Sequence, residues 1–156
     1  MGERTPHLDA TARGGWIGLT AKHARADLIR ALIEGVSYSQ RDCLDIIEAL
    51  GVAVQSVRAS GGGAQSPFWR QLLASIFNKR VVTLETQEGS AYGAALLALA
   101  GAGEYSSVPE VCRAAIRETD SVPPCAPEAA FYEKAHKTYQ ALYPALKPIY
   151  ARIAGM

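Results

Sequence analysis

A sheet covered on its faces by helices, an α/β fold, is what this sequence predicts. Three observations carry that expectation. Short β-branched runs alternate with stretches of helical period. One such run, Val52–Ser60, leads directly into three consecutive glycines. A helix pattern with a serine cap and a tryptophan comes immediately after those glycines.

Each element has a local reason. Residues 2–15, GERTPHLDATARGG, read as a loop, because Pro6, Asp9, Gly14 and Gly15 offer turn chemistry without a period. Trp16–Leu19 is a strand candidate, and Thr20 is placed to cap the helix after it. From Lys22 to Leu50, apolar residues at Leu28, Leu32, Val36, Cys43, Ile46, Ile47 and Leu50 form one stripe on a long helix, and Gly51 sits at its end. Glu34 and Asp42 on that helix read as solvated or capping charges.

Val52–Ser60 reads as a strand. Ser66 then caps a helix with Pro67 at its first position, where a missing N–H costs nothing. Trp69 lies beside Phe68 and Leu72 and reads as core. Val81–Leu84 is a further strand, and Ser90 can cap an apolar helix over Ala91–Ala100. Ser107 with Glu110 forms a capping box for a short helix reaching about Arg117. The proline-rich link SVPPCAP leads to a last helix from Glu128, which Pro144 and Pro148 are expected to kink or break.

Composition narrows the function classes. The 156 residues make one domain's worth, 49% hydrophobic and 20% charged. Sixteen Lys and Arg against fifteen Asp and Glu argue against a nucleic-acid or anionic-membrane partner. Cys43, Cys112 and Cys125 have no ligand spacing, and His7, His23 and His136 stand far apart, so no metal site is expected. No apolar h-region opens the chain, and Ala91–Gly103 is too short to cross a bilayer, which leads to an expected cytoplasmic location.

A glycine turn between a strand and a capped helix is a general nucleotide-binding device, because bare backbone lets a ligand approach closely and the unpaired helix N–H groups donate to its polar atoms. Here the turn lacks both the third glycine of G-x-G-x-x-G and the Lys-Ser/Thr of a P-loop. Alone it reads more simply as a tight turn with close helix–strand packing.

The stretches GERTPHLDATARGGWIGLT, RALIEGVSYSQRDCLDII, ASGGGAQSPFWRQLLASIF and QEGSAYGAALLALAGAGEY, taken together and in this order, resemble the C-terminal half of the FGGY carbohydrate kinases, in particular their xylulokinase branch. The resemblance spans Gly2 to about Tyr150. It implies a lobe of the ribonuclease-H-like, actin-like ATPase fold, incomplete here, with helices flanking the sheet and a C-terminal helix. It divides the chain into an interlobe loop (1–15), an adenosine-binding α/β core (16–104) and a C-terminal helical extension (105–156).

By the same resemblance Gly61, Gly62, Gly63 and Ala64 lie against the adenosine of ATP, flanked by Gln65 and Ser66. Ala91, Gly93 and Ala94 would let the third helix approach that pocket. The implied reaction moves the ATP γ-phosphoryl to D-xylulose, giving the 5-phosphate, with magnesium held mainly by the phosphates and the other lobe. Family members carry their catalytic aspartate, phosphate turns and sugar site upstream of GERTPH, so no catalytic residue is assigned and the chain alone is expected to be inactive.

Asp9 and Arg13, in the interlobe loop, could face the cleft. Ser75 stands where the family often has an aspartate. Trp16–Leu19, left as an unpaired sheet edge, would favour a homodimer or strand-paired assembly. Two rival readings stand beside this one: a non-catalytic binding or assembly module, and an FGGY kinase for ribulose or gluconate.

Overall fold

Helix α2 (Pro67–Phe77) is the element around which the rest is arranged. It joins β1 (Ser56–Ala59) to β2 (Arg80–Leu84) as the crossover of a parallel pair, with Ser56 beside Arg80 and Ala59 beside Thr83. A third strand, β3 (Glu118–Val122), runs antiparallel on the other side of β2, giving the order β1-β2-β3. The computed structural model describes residues 2–86 and 89–156. Gln87 and Glu88, which open the fourth family-like stretch, lie outside the described residues.

The pattern of α2 explains its position. Leu72, Leu73, Ala74, Ser75, Ile76 and Phe77 are all buried, because α1 (Arg25–Ala49), α5 (Ala126–Ala154) and the sheet press on it from different sides. Tyr38 and Leu44 of α1, Val81 of β2 and Tyr132 of α5 complete that core. Helices α3 (Gly89–Gly101) and α4 (Val108–Ala115) pack on each other, tied by the Tyr92 hydroxyl donating to the Ala115 carbonyl at 2.8 Å.

The seam between α1 and α5 is polar as well as apolar. Asp42, expected as a solvated or capping charge, is 6% exposed. Its Oδ1 accepts from His136 Nε2 at 2.9 Å and from Gln140 Nε2 at 2.8 Å. Glu34 likewise turns inward and accepts from the Tyr132 hydroxyl and from Arg30, both at 2.9 Å. The carboxylates face α5 because a second helix covers this side of α1, which a single-helix pattern cannot show.

Several expected elements differ. Trp16–Leu19 is not a strand: among the described residues no neighbour pairs with it, and a strand exists only through its ladder. The unpaired edges of the described sheet belong to β1 and β3 instead. Helix α1 starts at Arg25, where the Asp27 carboxylate accepts the Ala24 N–H at 2.8 Å, while Thr20 closes a turn with His23. Strand β1 is shorter than Val52–Ser60.

The expected capping box does not form before α4: the Ser107 side chain makes no cap bond, and Glu110 accepts from the N–H and hydroxyl of Ser106. Ser90 lies inside α3 and is not its cap. The segment 105–156 is not purely helical, because it supplies β3. Pro144 and Pro148 do not break α5. Four residues apart, they share one exposed face, where the carbonyls they leave without an N–H partner can be hydrated.

The N-terminal loop is anchored to α5. Asp9 accepts from the Thr11 hydroxyl at 2.6 Å, the Thr11 N–H at 2.7 Å and the Tyr143 hydroxyl at 2.9 Å. The His7 ring stacks on Tyr143 with centroids 3.6 Å apart. These hydrogen bonds to its charged form, led by the Thr11 side chain, hold the Asp9 carboxyl at about 2, below its ordinary 3.8.

This packing has two measurable consequences. Asp42→Ala removes the acceptor of the buried His136 ring and of the more exposed Gln140 amide, and should lower the unfolding free energy by about 2 kcal/mol in urea titration, with unchanged m. Because the folded-state pKa of Asp9 is depressed, the loop anchor is fully present above its unfolded value and is lost as pH falls towards 2. Amide exchange at Glu3, whose N–H donates to the Asp9 carbonyl, should therefore accelerate over that window. In Asp9→Asn the acid-dependent step should be missing.

Candidate functional site

The chain leaves β1 at Ala59 and turns sharply before α2 begins. Gly61 carries the turn at φ +79°, ψ −173°, a region closed to most side chains. Gly62–Gln65 form a single 3-10 turn, closed by the Ala64 N–H on the Gly61 carbonyl at 3.1 Å and the Ser66 N–H on the Gly63 carbonyl at 3.2 Å. Ser66 then caps α2, its hydroxyl accepting the Trp69 N–H at 3.3 Å with Pro67 in the first turn, as the sequence predicts.

The three glycines are bare for different reasons. Gly61 is required by its positive φ. Gly63 is favoured by packing, because a Cβ there would sit 3.0 Å from the Trp69 ring carbons Cε3 and Cζ3 and the indole would have to give way. At Gly62 the corresponding position is open space. Trp69 is thus a support beneath the turn and not a wall of the site. Its indole N–H donates to the Ser37 hydroxyl on α1 at 3.0 Å.

A cleft of about 380 Å³ opens beside this turn. Gly61, Ala64 and Gln65 line it from the turn, with Ser60 before them and Arg70 behind. Thr83, Leu84 and Thr86 contribute from the end of β2, and Thr119 from the start of β3. The cleft therefore lies at the carboxyl ends of both parallel strands, where open α/β sheets bind ligands. Gly62, Gly63 and Ser66 are adjacent to it but do not line it.

Its chemistry is mostly neutral. Ser60, Gln65, Thr83, Thr86 and Thr119 give the lining its neutral polar side chains, beside bare turn backbone, and Arg70 is its charged residue. Such a surface suits an uncharged, hydrogen-bonding, flat ligand better than a polyanion. The lining includes no carboxylate among the described residues, so it offers no ligand set for a divalent cation.

The remaining expected residues fall elsewhere. The close approach of α3 is made by Gly89, where a Cβ would meet the Ser60 hydroxyl at 3.0 Å, and not by Ala91, Gly93 or Ala94. Asp9 and Arg13, expected towards the cleft between lobes, lie apart from this pocket: Asp9 binds Thr11 and Tyr143, and Arg13 donates to the Ala10 and Ala12 carbonyls. Ser75 is buried and donates to Glu128 on α5 at 2.8 Å, a structural tie. Sequence reasoning missed Thr83, Thr119 and Arg70 as site residues. Thr83 and Thr119 come together, hydroxyls 3.1 Å apart, only through the pairing of β2 with β3.

Known proteins share this arrangement. Residues 1–102 match the model of the FGGY family of carbohydrate kinases, C-terminal domain. A xylulose kinase of Staphylococcus epidermidis is 39% identical over 96% of the chain, and a gluconokinase of Bacillus licheniformis is 35% identical over 99%. The crystal structure of ligand-bound xylulose kinase from Lactobacillus acidophilus superposes with a TM-score of 0.87 at 31% identity, covering 96% of this chain and 30% of that one. The chain likewise spans about 30% of the length of those two curated relatives. Among the described residues no helix is long and apolar enough to cross a membrane. A glycine turn at the carboxyl ends of a parallel strand pair, on a chain that matches along most of its length, places this protein in the C-terminal domain family of the FGGY carbohydrate kinases.

Proposed function

We propose that this chain is the adenosine-binding part of an ATP-dependent sugar kinase. The observation that carries the reading is the neutral cleft at the strand ends, walled by the bare Gly61–Gln65 turn and by threonine side chains. Its volume, about 380 Å³, falls in the range of small-molecule pockets. The base and ribose rest against Gly61, Ala64 and Gln65, while Gly62 leaves the approach open and Gly63 and Ser66 hold the turn's shape. The described lining offers no carboxylate to a magnesium ion, so the metal and the phosphates would be held by other groups. ATP then supplies the γ-phosphoryl group, and this domain contributes positioning, not a base.

Xylulose is the sugar that the named relatives favour, and the product is its 5-phosphate. The gluconokinase relative supports gluconate as the second reading. A non-catalytic module is the rival from another class, and it predicts no saturable nucleotide binding.

Titration of the 156-residue chain with ADP should therefore show saturable binding. Thr119→Trp, on the exposed strand β3, fills the cleft without touching the core and should weaken ADP at least roughly tenfold with little change in Tm. Absence of saturable binding, or binding indifferent to Thr119→Trp, would remove the nucleoside assignment. For the sugar, a kinase that includes this domain should turn over xylulose with a higher kcat/KM than gluconate. The reverse preference would establish the second reading.

A further inference from the structure

Arg70, near the start of α2, reaches two elements with one planar group. Its Nη1 donates to the Ala64 carbonyl at 2.7 Å, and its Nη2 donates to Asp120 Oδ2 on β3 at 3.0 Å. The Arg70 side chain is only 16% exposed, whereas that of Asp120 is 52% exposed. Arg70 Nε is buried with no hydrogen-bond partner among the described residues. A largely buried cation with one donor unsatisfied is a poor way to fill space. What its placement does achieve is to fix Ala64.

Ala64 is the buried member of the glycine turn and lines the cleft. Its N–H is taken by the Gly61 carbonyl inside the turn, so its own carbonyl is the handle by which the rest of the protein can hold it. The distance between the two ends of a guanidinium is rigid. With one end on Asp120, the other end sets where the Ala64 carbonyl can sit. The outer strand β3 thus determines the height of the turn over the cleft. This strand lies beyond residue 102, outside the stretch that matches the family model.

We infer that Arg70 and Asp120 are positioning residues for the nucleoside site, a clamp from β3 through α2 onto Ala64. Neither takes part in chemistry. Both act through the placement of the Gly61–Gln65 backbone, and the effect on ligand rests on the nucleoside reading proposed for the cleft. Lysine cannot replace Arg70, because one ammonium cannot span both acceptors. Glutamate can replace Asp120, because that acceptor is half-exposed and has room to adjust.

The test uses Arg70→Lys, Asp120→Ala and Asp120→Glu in the 156-residue chain, with two readouts. In the absence of ligand, amide exchange is followed at Ala64 and Ser66, which close the turn, and at Val82 in the buried middle of β2. Arg70→Lys and Asp120→Ala should speed exchange at the turn roughly tenfold and leave Val82 unchanged. With ADP, the same two variants should bind roughly three- to tenfold more weakly, and Asp120→Glu should recover most of the loss. Equal acceleration at the turn and at Val82 would mean ordinary stabilisation and would overturn the clamp. Unchanged ADP affinity in all variants would overturn it too, leaving the nucleoside reading intact. If the turn loosens selectively but the unaltered chain binds no ADP, the clamp on Ala64 stands and the nucleoside reading fails.

Discussion

The indole of Trp69 under Gly63 is the contact on which the site depends. A chain leaving a strand and entering a helix within a few residues must reverse its direction over a solid support. Trp69 supplies it, with ring carbons so close to Gly63 that a methyl group there would push the indole by a few tenths of an ångström. The same indole donates to Ser37, whose hydroxyl in turn donates to the Ile33 carbonyl at 2.8 Å. The turn is thereby referenced to α1, a helix of 25 residues that cannot shift locally. Helix α2 is anchored at its start by Ser66 and over its second half by burial, so the support cannot tilt.

This arrangement divides the work of the glycines. A row of three suggests one cause, close approach of a ligand. The structure separates a backbone requirement at Gly61, an internal packing preference at Gly63 and an open approach at Gly62. A ligand-facing surface and a packed underside thus share one short segment. The cleft that results is lined by hydroxyl-bearing side chains and one guanidinium, with no carboxylate among its described residues, which fits the proposed nucleoside.

On the far side of α2, the α1–α5 seam shows how polar groups are kept inside a small domain. Asp42 satisfies two donors, Arg41 spans to the Ile76 carbonyl, Asp45 and Glu133, and Tyr132 is buried with its hydroxyl bonded to Glu34. Each of these groups is paired, as burial demands. The result fixes the angle at which α5 crosses the core and, through Ser75 and Glu128, the start of α5 relative to α2.

The glycine turn, the Ser66 cap with Pro67, the long helix ending before Gly51, and the core role of Trp69 were legible from residues alone, since each depends on neighbours within a turn or two of chain. Family membership was legible as well, from four stretches in order. Other features were not. β3 has a single inward residue, Val122, and no apolar alternation, so only its pairing with β2 makes it a strand. Trp16–Leu19 has strand-like composition but lacks a partner among the described residues. Prolines in α5 are tolerated because of the face on which they fall. Thr119 and Asp120 reach Thr83 and Arg70 across 36 and 50 residues of sequence. Local backbone preference and capping are written in adjacent residues. Pairing register, and the side of a helix that another helix covers, arise only when distant segments compete for the same surface, and tertiary packing alone decides that competition.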